Sequence, residues 1–452
     1  MKKILLFVAL FPALTTFCQT DSIFIRKIYD KALENGQAYE NLRSLCKGVG
    51  NRISGSPEAE MAVKWGEKLM NSYHFDKVYL QEVMVPHWVR GTKEAAWITN
   101  EKGATEKLHI LALGGSVGTN GFMEGEIIEV KTLEELKALG KEKVKGKIVF
   151  FNEPFDQKLL ETFQAYGSCY YQRGDGANEA SKLEAKACVI RSLASSTDNF
   201  PHTGVLHYED TVKKIPAAAM STMDADLLSS WLKTGKVVLK IEMNCETLPD
   251  VKSYNVIGEM NGKDEKVITW GGHLDSWDVG EGAHDDGAGI VQSIESLKIL
   301  KELGYQPNHK LRCVLFMNEE NGNKGGEGYA KIAIENKENH ICAQESDAGG
   351  FLPLGFSVWG SEEQLKLVNQ YSTLLYNFNL YKFKSGHSGV DIGPLKKVYP
   401  DMLQLGLSVN SQPYFNYHHS AADVFEAVNK RELELGAAAM ASMIYLMDKS
   451  LK

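Results

Sequence analysis

Acidic and imidazole side chains gather in short stretches of the C-terminal half. His273 and Asp275 close the apolar run KVITWGG, and Asp285–Asp286–Gly287 follow ten residues after Asp275. Glu319–Glu320 come directly after KLRCVLFMN, Asp347 ends ICAQESD, and His418–His419 sit in the aromatic-rich YFNYHHSAAD. Each piece has an ordinary explanation when taken alone: a strand end meeting a polar loop, Asp286 capping a helix, a solvated glutamate pair. As a set they read differently, because imidazole and carboxylate are the usual ligands of zinc. His273 and Asp275, two apart, face the same side if the strand persists, so the acid can orient the imidazole. Asp285 is surplus to capping and free to bind metal. Adjacent glutamates at a strand tip diverge, so one can ligate while the other faces water. A His, a shared Asp, a Glu, an Asp and a His supply three ligands to each of two zinc ions, with Asp285 counted twice. That leaves open coordination, as a catalytic site requires.

The elements that must position these residues alternate β, α, β, α from about residue 253. NVIGEM, KVITWGGHLD, KLRCVLFMN and ICAQESD predict strands, and the continuously apolar KLRCVLFMN suits the centre of a parallel sheet. An amphipathic helix is expected over 286–303, with Ile290, Ile294, Leu297, Leu300 and Leu303 on one face. A second is expected at GYAKIAIEN, and a closing helix over 428–446. The polar residues fall at one end of these strands, where sites form in open α/β sheets. Residues 110–245 differ: short strands GEIIEV, GKIVFF, ACVIRS and VVLKIEM alternate with turns and short helices, as in a separate, mostly β domain inserted into something larger. Residues 19–109 contribute helices, one opened by Ser56–Pro57, and the strand-like VYLQEVMVPHWVRG. The expected fold is α/β: a mostly parallel central sheet flanked by helices, from 19–109 and 246–452, with 110–245 inserted.

With 452 residues, 43% apolar, 24% charged and 10% aromatic, the chain is neither disordered, collagen-like nor a coiled coil. Fifty basic against 58 acidic residues give a net charge of −8, which argues against nucleic-acid binding. One stretch could interest a membrane, at the N-terminus. Two lysines precede an apolar run from Ile4 to Leu14, too short to span a bilayer and ordered like a secretory signal cut after Cys18. Residues 1–18 are therefore expected to be removed, giving a secreted or periplasmic protein that is not integral to the membrane. A lipid anchor on Cys18 ranks lower, because Phe17 fits a lipoprotein signal poorly. Of the cysteines beyond the cut, Cys313 and Cys342 read as core residues. Cys169 and Cys188 could bridge within the middle region.

GGHLDSWDVGEGAHDDGAG, FMNEE, ESDAGG and YHHS, in this order and spacing, resemble the co-catalytic zinc exopeptidases of the M28 family. The resemblance is closest to the carboxypeptidase Q branch. It extends over GNRISGSPEAEMAVKWGEKL and VPHWVRG, and so over nearly the whole mature chain. It implies that the insertion is a protease-associated domain. It implies that His273 and Asp347 bind one of two zinc ions, that Glu320 and His419 bind the other, and that Asp285 bridges them. It further implies that Asp275 orients His273, that the Asp285–Asp286 peptide is cis, and that Glu319 is the general base. His418 occupies a position where some relatives carry an oxyanion-steadying tyrosine. The Gly-rich SGHSGVDIGPL, with His387, would border the substrate pocket. Arg52 and Arg90 are candidate partners for a substrate carboxylate, although salt bridges are the commoner fate of such residues. The implied reaction is hydrolysis of dipeptides or short peptides, by a carboxypeptidase/dipeptidase or an aminopeptidase, in a possible homodimer. A glutaminyl cyclase and a non-catalytic binding module on the same fold rank below these. Cyclases are usually shorter, and non-catalytic relatives have lost ligands.

Overall fold

The computed structural model describes residues 11–451, with side chains from residue 20 onward. The expected signal segment, 1–18, lies outside the described residues up to residue 10, and beyond that is described only as the start of the helix Phe11–Asn35.

Two eight-stranded sheets carry the chain. In the first, four central strands lie in the order Lys310–Phe316, Lys266–His273, Asn339–Glu345 and Leu403–Val409, all mutually parallel. Antiparallel pairs flank this centre: Lys77–Val89 with Glu246–Met260, Glu246–Met260 with Lys310–Phe316, and Pro353–Trp359 with Leu403–Val409. The sheet is thus mixed: parallel at its centre, antiparallel at the junctions on either side, and closed at one rim by the strand Lys382–Ser385, parallel to Pro353–Trp359.

The second sheet is inserted between two strands that are neighbours in the first, Lys77–Val89 and Glu246–Met260. Its strands run from Glu94–Asn100 to Val237–Met243, so it begins before residue 110. The runs GEIIEV, GKIVFF, ACVIRS and VVLKIEM fall on the strands Met123–Val130, Ile148–Phe151, Ala187–Arg191 and Val237–Met243.

Local signals act where the residues suggest. Ser56 Oγ accepts the Ala59 N–H at 3.0 Å and opens the helix Pro57–Ser72, with Pro57 in its first turn. The helix Ala288–Glu302 differs from the amphipathic expectation, being buried on every face from Ala288 to Leu300. The sheet, the helix Ala38–Gly48 and the C-terminal helix Lys430–Ser450 enclose it. Its charged residues Glu295 and Lys298 pair with each other at 3.1 Å inside. All six described cysteines are buried and free. The bridge considered for Cys169 and Cys188 does not form, because the two pack in different hydrophobic clusters. Among the described residues no helix is long and apolar enough to cross a membrane.

Candidate metal centre

Three parallel strands bring three of the polar segments to one end of the first sheet. His273 is the last residue of its strand, Glu319–Glu320 follow the strand to one side, and Asp347 follows the strand to the other. Asp285 lies in the segment Ala283–Gly287 that leads into the buried helix, and its peptide bond to Asp286 is cis. His418 and His419 come from the loop after the turn Tyr414–Asn416, with His419 at φ 62°.

Asp285 is the hub. Its Oδ1 lies 3.2 Å from His273 Nε2, which is also 3.4 Å from Asp347 Oδ1. Its Oδ2 lies 3.3 Å from His419 Nε2, which is 3.1 Å from Glu320 Oε2. His273, Asp285 and Asp347 present ligand atoms all within 4.8 Å of one another, and so do Asp285, His418 and His419. His418 joins this second group because its ring stacks on His419 with centroids 3.5 Å apart, leaving its Nε2 3.8 Å from Asp285 Oδ2.

A layer of carboxylates and backbone holds these ligands. Asp275 Oδ1 accepts the N–H groups of Asn318 and Glu319 at 2.7 and 3.1 Å, and Oδ2 accepts that of Glu320 at 3.4 Å. His273 Nδ1 meets the backbone carbonyl of Asp275 at 3.0 Å, whereas the Asp275 carboxylate is 3.9 Å away. The expected orienting contact is therefore made by the main chain, because the side chain turns toward the glutamates. Asp286 accepts from the N–H groups of His273 and Gly289 at 3.1 and 2.9 Å, tying the strand end to the helix start. Asp423 accepts the N–H groups of His284 and Asp285 at 2.7 and 3.1 Å.

The second sheet's unit reaches the same place. His202 Nδ1 contacts the carbonyl of His418 at 2.6 Å, and the Thr203 N–H donates to the carbonyl of His419 at 2.9 Å. Arg173 lies behind His419, with Nη1 3.3 Å from Nδ1. No sequence motif marks these three residues. The faint cue is a lone arginine in the small-residue stretch QRGDGANEAS.

The donor set fits a cation. Asp285, Glu320 and Asp347 converge with Glu319 beside two imidazoles, and Asp285 Oδ2 and Glu320 Oε1 are buried without a hydrogen-bond donor. Burial, reinforced by repulsion from Asp285, pushes the Glu320 carboxyl up to about 7. Burial, with Asp347 and Glu320 nearby, pushes Glu319 well above the usual carboxylate range. Burial draws His419 down, but Glu320 and Asp285 outweigh it and raise the imidazole to about 9. Clustered like charges in a low dielectric call for positive charge between them.

Other expected site residues stand apart. His387 is exposed against Trp359, with ring centroids 5.0 Å apart, and among the described residues no hydrogen bond or ion pair joins it to the cluster. The Arg52 guanidinium is occupied by the carbonyls of Leu274, Glu281 and Gly282 at 2.6, 2.8 and 3.0 Å. Arg90 forks onto Asp278 at 2.6 and 2.8 Å and onto Glu94 at 3.0 Å. Neither guanidinium is free for a substrate carboxylate.

A carboxylate–imidazole cluster at the strand ends of a mixed α/β sheet defines a class of site, a candidate metal centre. Residues 255–444 match the model of peptidase family M28. The chain is 35% identical over 424 residues to human Carboxypeptidase Q, covering 93% of this chain and 86% of that one. The structure of a peptidase M28 precursor from Shewanella amazonensis superposes with a TM-score of 0.91 at 30% identity, covering 96% of this chain and 98% of that one. A zinc aminopeptidase from Bacillus subtilis shares the fold, with a TM-score of 0.65 at 18% identity over 90% of this chain and 94% of that one. The chain belongs to peptidase family M28, in its carboxypeptidase Q-like branch, and is an exopeptidase of the metallopeptidase type.

Proposed function

We propose that the protein is an exported di-zinc exopeptidase that hydrolyses dipeptides or short peptides, with Glu319 as general base. The observation that carries this reading is the two-sided use of Asp285, whose oxygens face His273 on one side and His419 on the other. His273 and Asp347 would hold one zinc, Glu320 and His419 the other, and Asp285 both. When bound, the two zinc ions polarise the scissile carbonyl and make the attacking water more acidic.

Glu319 takes the proton from the attacking water and delivers it to the leaving amine. Asp275 fixes its backbone in place for this exchange. Asp275 is thus a positioning residue for the glutamate turn. His418, whose Nε2 lies 3.8 Å from the hub, would be the imidazole donor that steadies the developing oxyanion. His387, apart from the cluster and against Trp359, would border the approach to the site on its Gly-rich loop.

The inserted unit is read as a protease-associated domain on a peptidase domain built from the segments before Glu94 and after Met243. The N-terminal segment is read as a cleaved export signal, and the assembly as a homodimer. Carboxypeptidase Q is the name carried by the 35%-identical human relative, and it favours dipeptidase or carboxypeptidase action here. The test is a panel of free dipeptides, N-blocked peptides and C-amidated peptides given to zinc-loaded protein. Cleavage of free dipeptides alone supports the proposal, tolerance of C-terminal amides supports an aminopeptidase, and no cleavage at all rejects both.

A further inference from the structure

Arg173 is an unusual residue to find where it is. It sits on the short helix Tyr171–Gly174 of the inserted unit and is only 4% exposed. Its neighbours are aromatic rings in place of a carboxylate: the guanidinium carbon lies 5.4 Å from the Tyr166 ring centre and 4.9 Å from that of Tyr170. Nε has no acceptor, and one terminal nitrogen donates to the Tyr166 hydroxyl. Burying a guanidinium without a counter-ion is unfavourable, so the rest of its surroundings must account for its place.

The other terminal nitrogen, Nη1, donates to the carbonyl of Thr203 at 3.3 Å. That same carbonyl lies 3.3 Å from His419 Nδ1. The Thr203 N–H in turn donates to the His419 carbonyl at 2.9 Å. Thr203 therefore grips His419 at ring and backbone together. His419 needs such a grip, since its φ of 62° lies in the left-handed region that non-glycine residues seldom occupy. The chain closes tightly round the arginine: a Cβ on Gly204, the residue after Thr203, would fall 2.2 Å from Nη1.

We infer that Arg173 is a positioning residue for His419, delivered across the domain boundary by the inserted unit. With the proton on Nδ1 donated to Thr203, Nε2 is left bare toward Asp285 and Glu320; Arg173 Nη1, 3.3 Å from both Nδ1 and that carbonyl, then donates to the carbonyl as its second donor. Outer-shell partners of this kind fix both tautomer and ring orientation of a ligating histidine. The inference rests on the two-zinc reading. It deepens that reading by making the two sites unequal: the Glu320/His419 site depends on the inserted unit, and the His273/Asp347 site does not.

The test uses the full chain with R173M, R173K and, as a control in the same unit, R191Q, whose arginine pairs with Asp226 at 2.6 Å away from the site. Zinc per chain is measured after dialysis against graded chelator, with thermal unfolding of the metal-free proteins in parallel. Wild type and R191Q should hold two zinc ions alike. R173M should keep one tightly and bind the second about 10–100-fold more weakly, the usual effect of losing an outer-shell partner. R173K, which keeps the charge but loses the fork, should fall between. Excess zinc should restore kcat in both variants with little change in KM. If R173M does not fold, the selective loss in R173K decides the matter. Retention of both zinc ions at wild-type affinity, or equal weakening of the two, overturns the inference. Fewer than two zinc ions in wild type would instead reject the two-zinc reading.

Discussion

Asp275 holds Glu319 by its backbone, with Oδ1 3.1 Å from the Glu319 nitrogen. The neighbouring N–H groups of Asn318 and Glu320 point to the same carboxylate, so one buried acid fixes the turn that carries both glutamates. His273, two residues before Asp275 in sequence, takes only the main-chain carbonyl. The glutamate turn and the first histidine are thus coupled through a single residue, and several measurable consequences depend on that geometry.

The two glutamates should separate cleanly. Glu319→Gln keeps the shape and leaves the ligands in place, so zinc content should stay near wild type while kcat falls about 10²–10⁴-fold. Glu320→Gln replaces a charged ligand with a neutral one, so one zinc should weaken and added zinc should rescue part of the activity. Metal analysis and kinetics on both variants check this. The reverse pattern, with zinc lost from Glu319→Gln only, would exchange the two roles.

Asp275→Ala should leave three backbone N–H groups near the turn without their acceptor. A buried donor left unpaired costs about 1–3 kcal/mol, so denaturant unfolding should show a loss of at least that size. Asp275→Asn, which keeps one acceptor oxygen, should lose less stability but still lower kcat by loosening Glu319. An Asp275→Ala protein with wild-type stability and kcat would contradict the positioning role.

Metal-free protein should lose stability as pH rises from about 6.5 to 9, above the range in which the buried His202 and His284, held down to about 4, act in the opposite direction. Glu320, pushed up by burial and Asp285, and Asp423, pushed up by burial and its neighbour Asp285, both reach about 7. A folded state that holds protons the unfolded chain releases above about pH 4 is destabilised as pH rises through that window. His419, raised to about 9 by Glu320 and Asp285 against its burial, contributes stability below about pH 6.5 that is lost as pH passes 9. Both signs agree. Stabilisation by zinc should grow over the same range, because the ligands must shed protons to bind it. Unfolding midpoints of chelator-treated and zinc-loaded protein between about pH 6.5 and 9 test the pair of trends, and a flat metal-free profile would refute them.

Arg90→Gln should destabilise the junction between the two sheets. Arg90 follows the strand Lys77–Val89 of the first sheet, and its fork grips Asp278 in the loop after His273. Its other contacts are Glu94 and the Ala112 carbonyl, at 3.0 and 2.7 Å, on the second sheet. Removing one partner of a buried pair strands the other charge, a loss of about 3–5 kcal/mol. Denaturant unfolding should report it, and a change below about 1 kcal/mol would show the fork to be dispensable.

The strand ends were legible from residues alone because they depend on local order. Apolar runs of strand length followed at once by His273, Glu319 or Asp347 need no long-range information. Family-specific spacing then assigned Asp285, Glu320 and His419, and Ser56–Pro57 marked a helix start through chemistry confined to one turn. Tertiary structure alone decided which way the second layer faced. The strand stops at His273, so Asp275 lies beyond it and its carboxylate turns to a loop 43–45 residues away, where three N–H groups take it as their acceptor. The helix Ala288–Glu302 has an amphipathic pattern but is covered on all sides, because the C-terminal helix packs over the face that its own sequence leaves mixed. Arg173 and His419 are 246 residues apart and meet through a carbonyl oxygen that every residue possesses. Side-chain type and spacing carry the chemistry a site can perform, but contacts to backbone groups leave no trace in composition, so only the packed chain decides them.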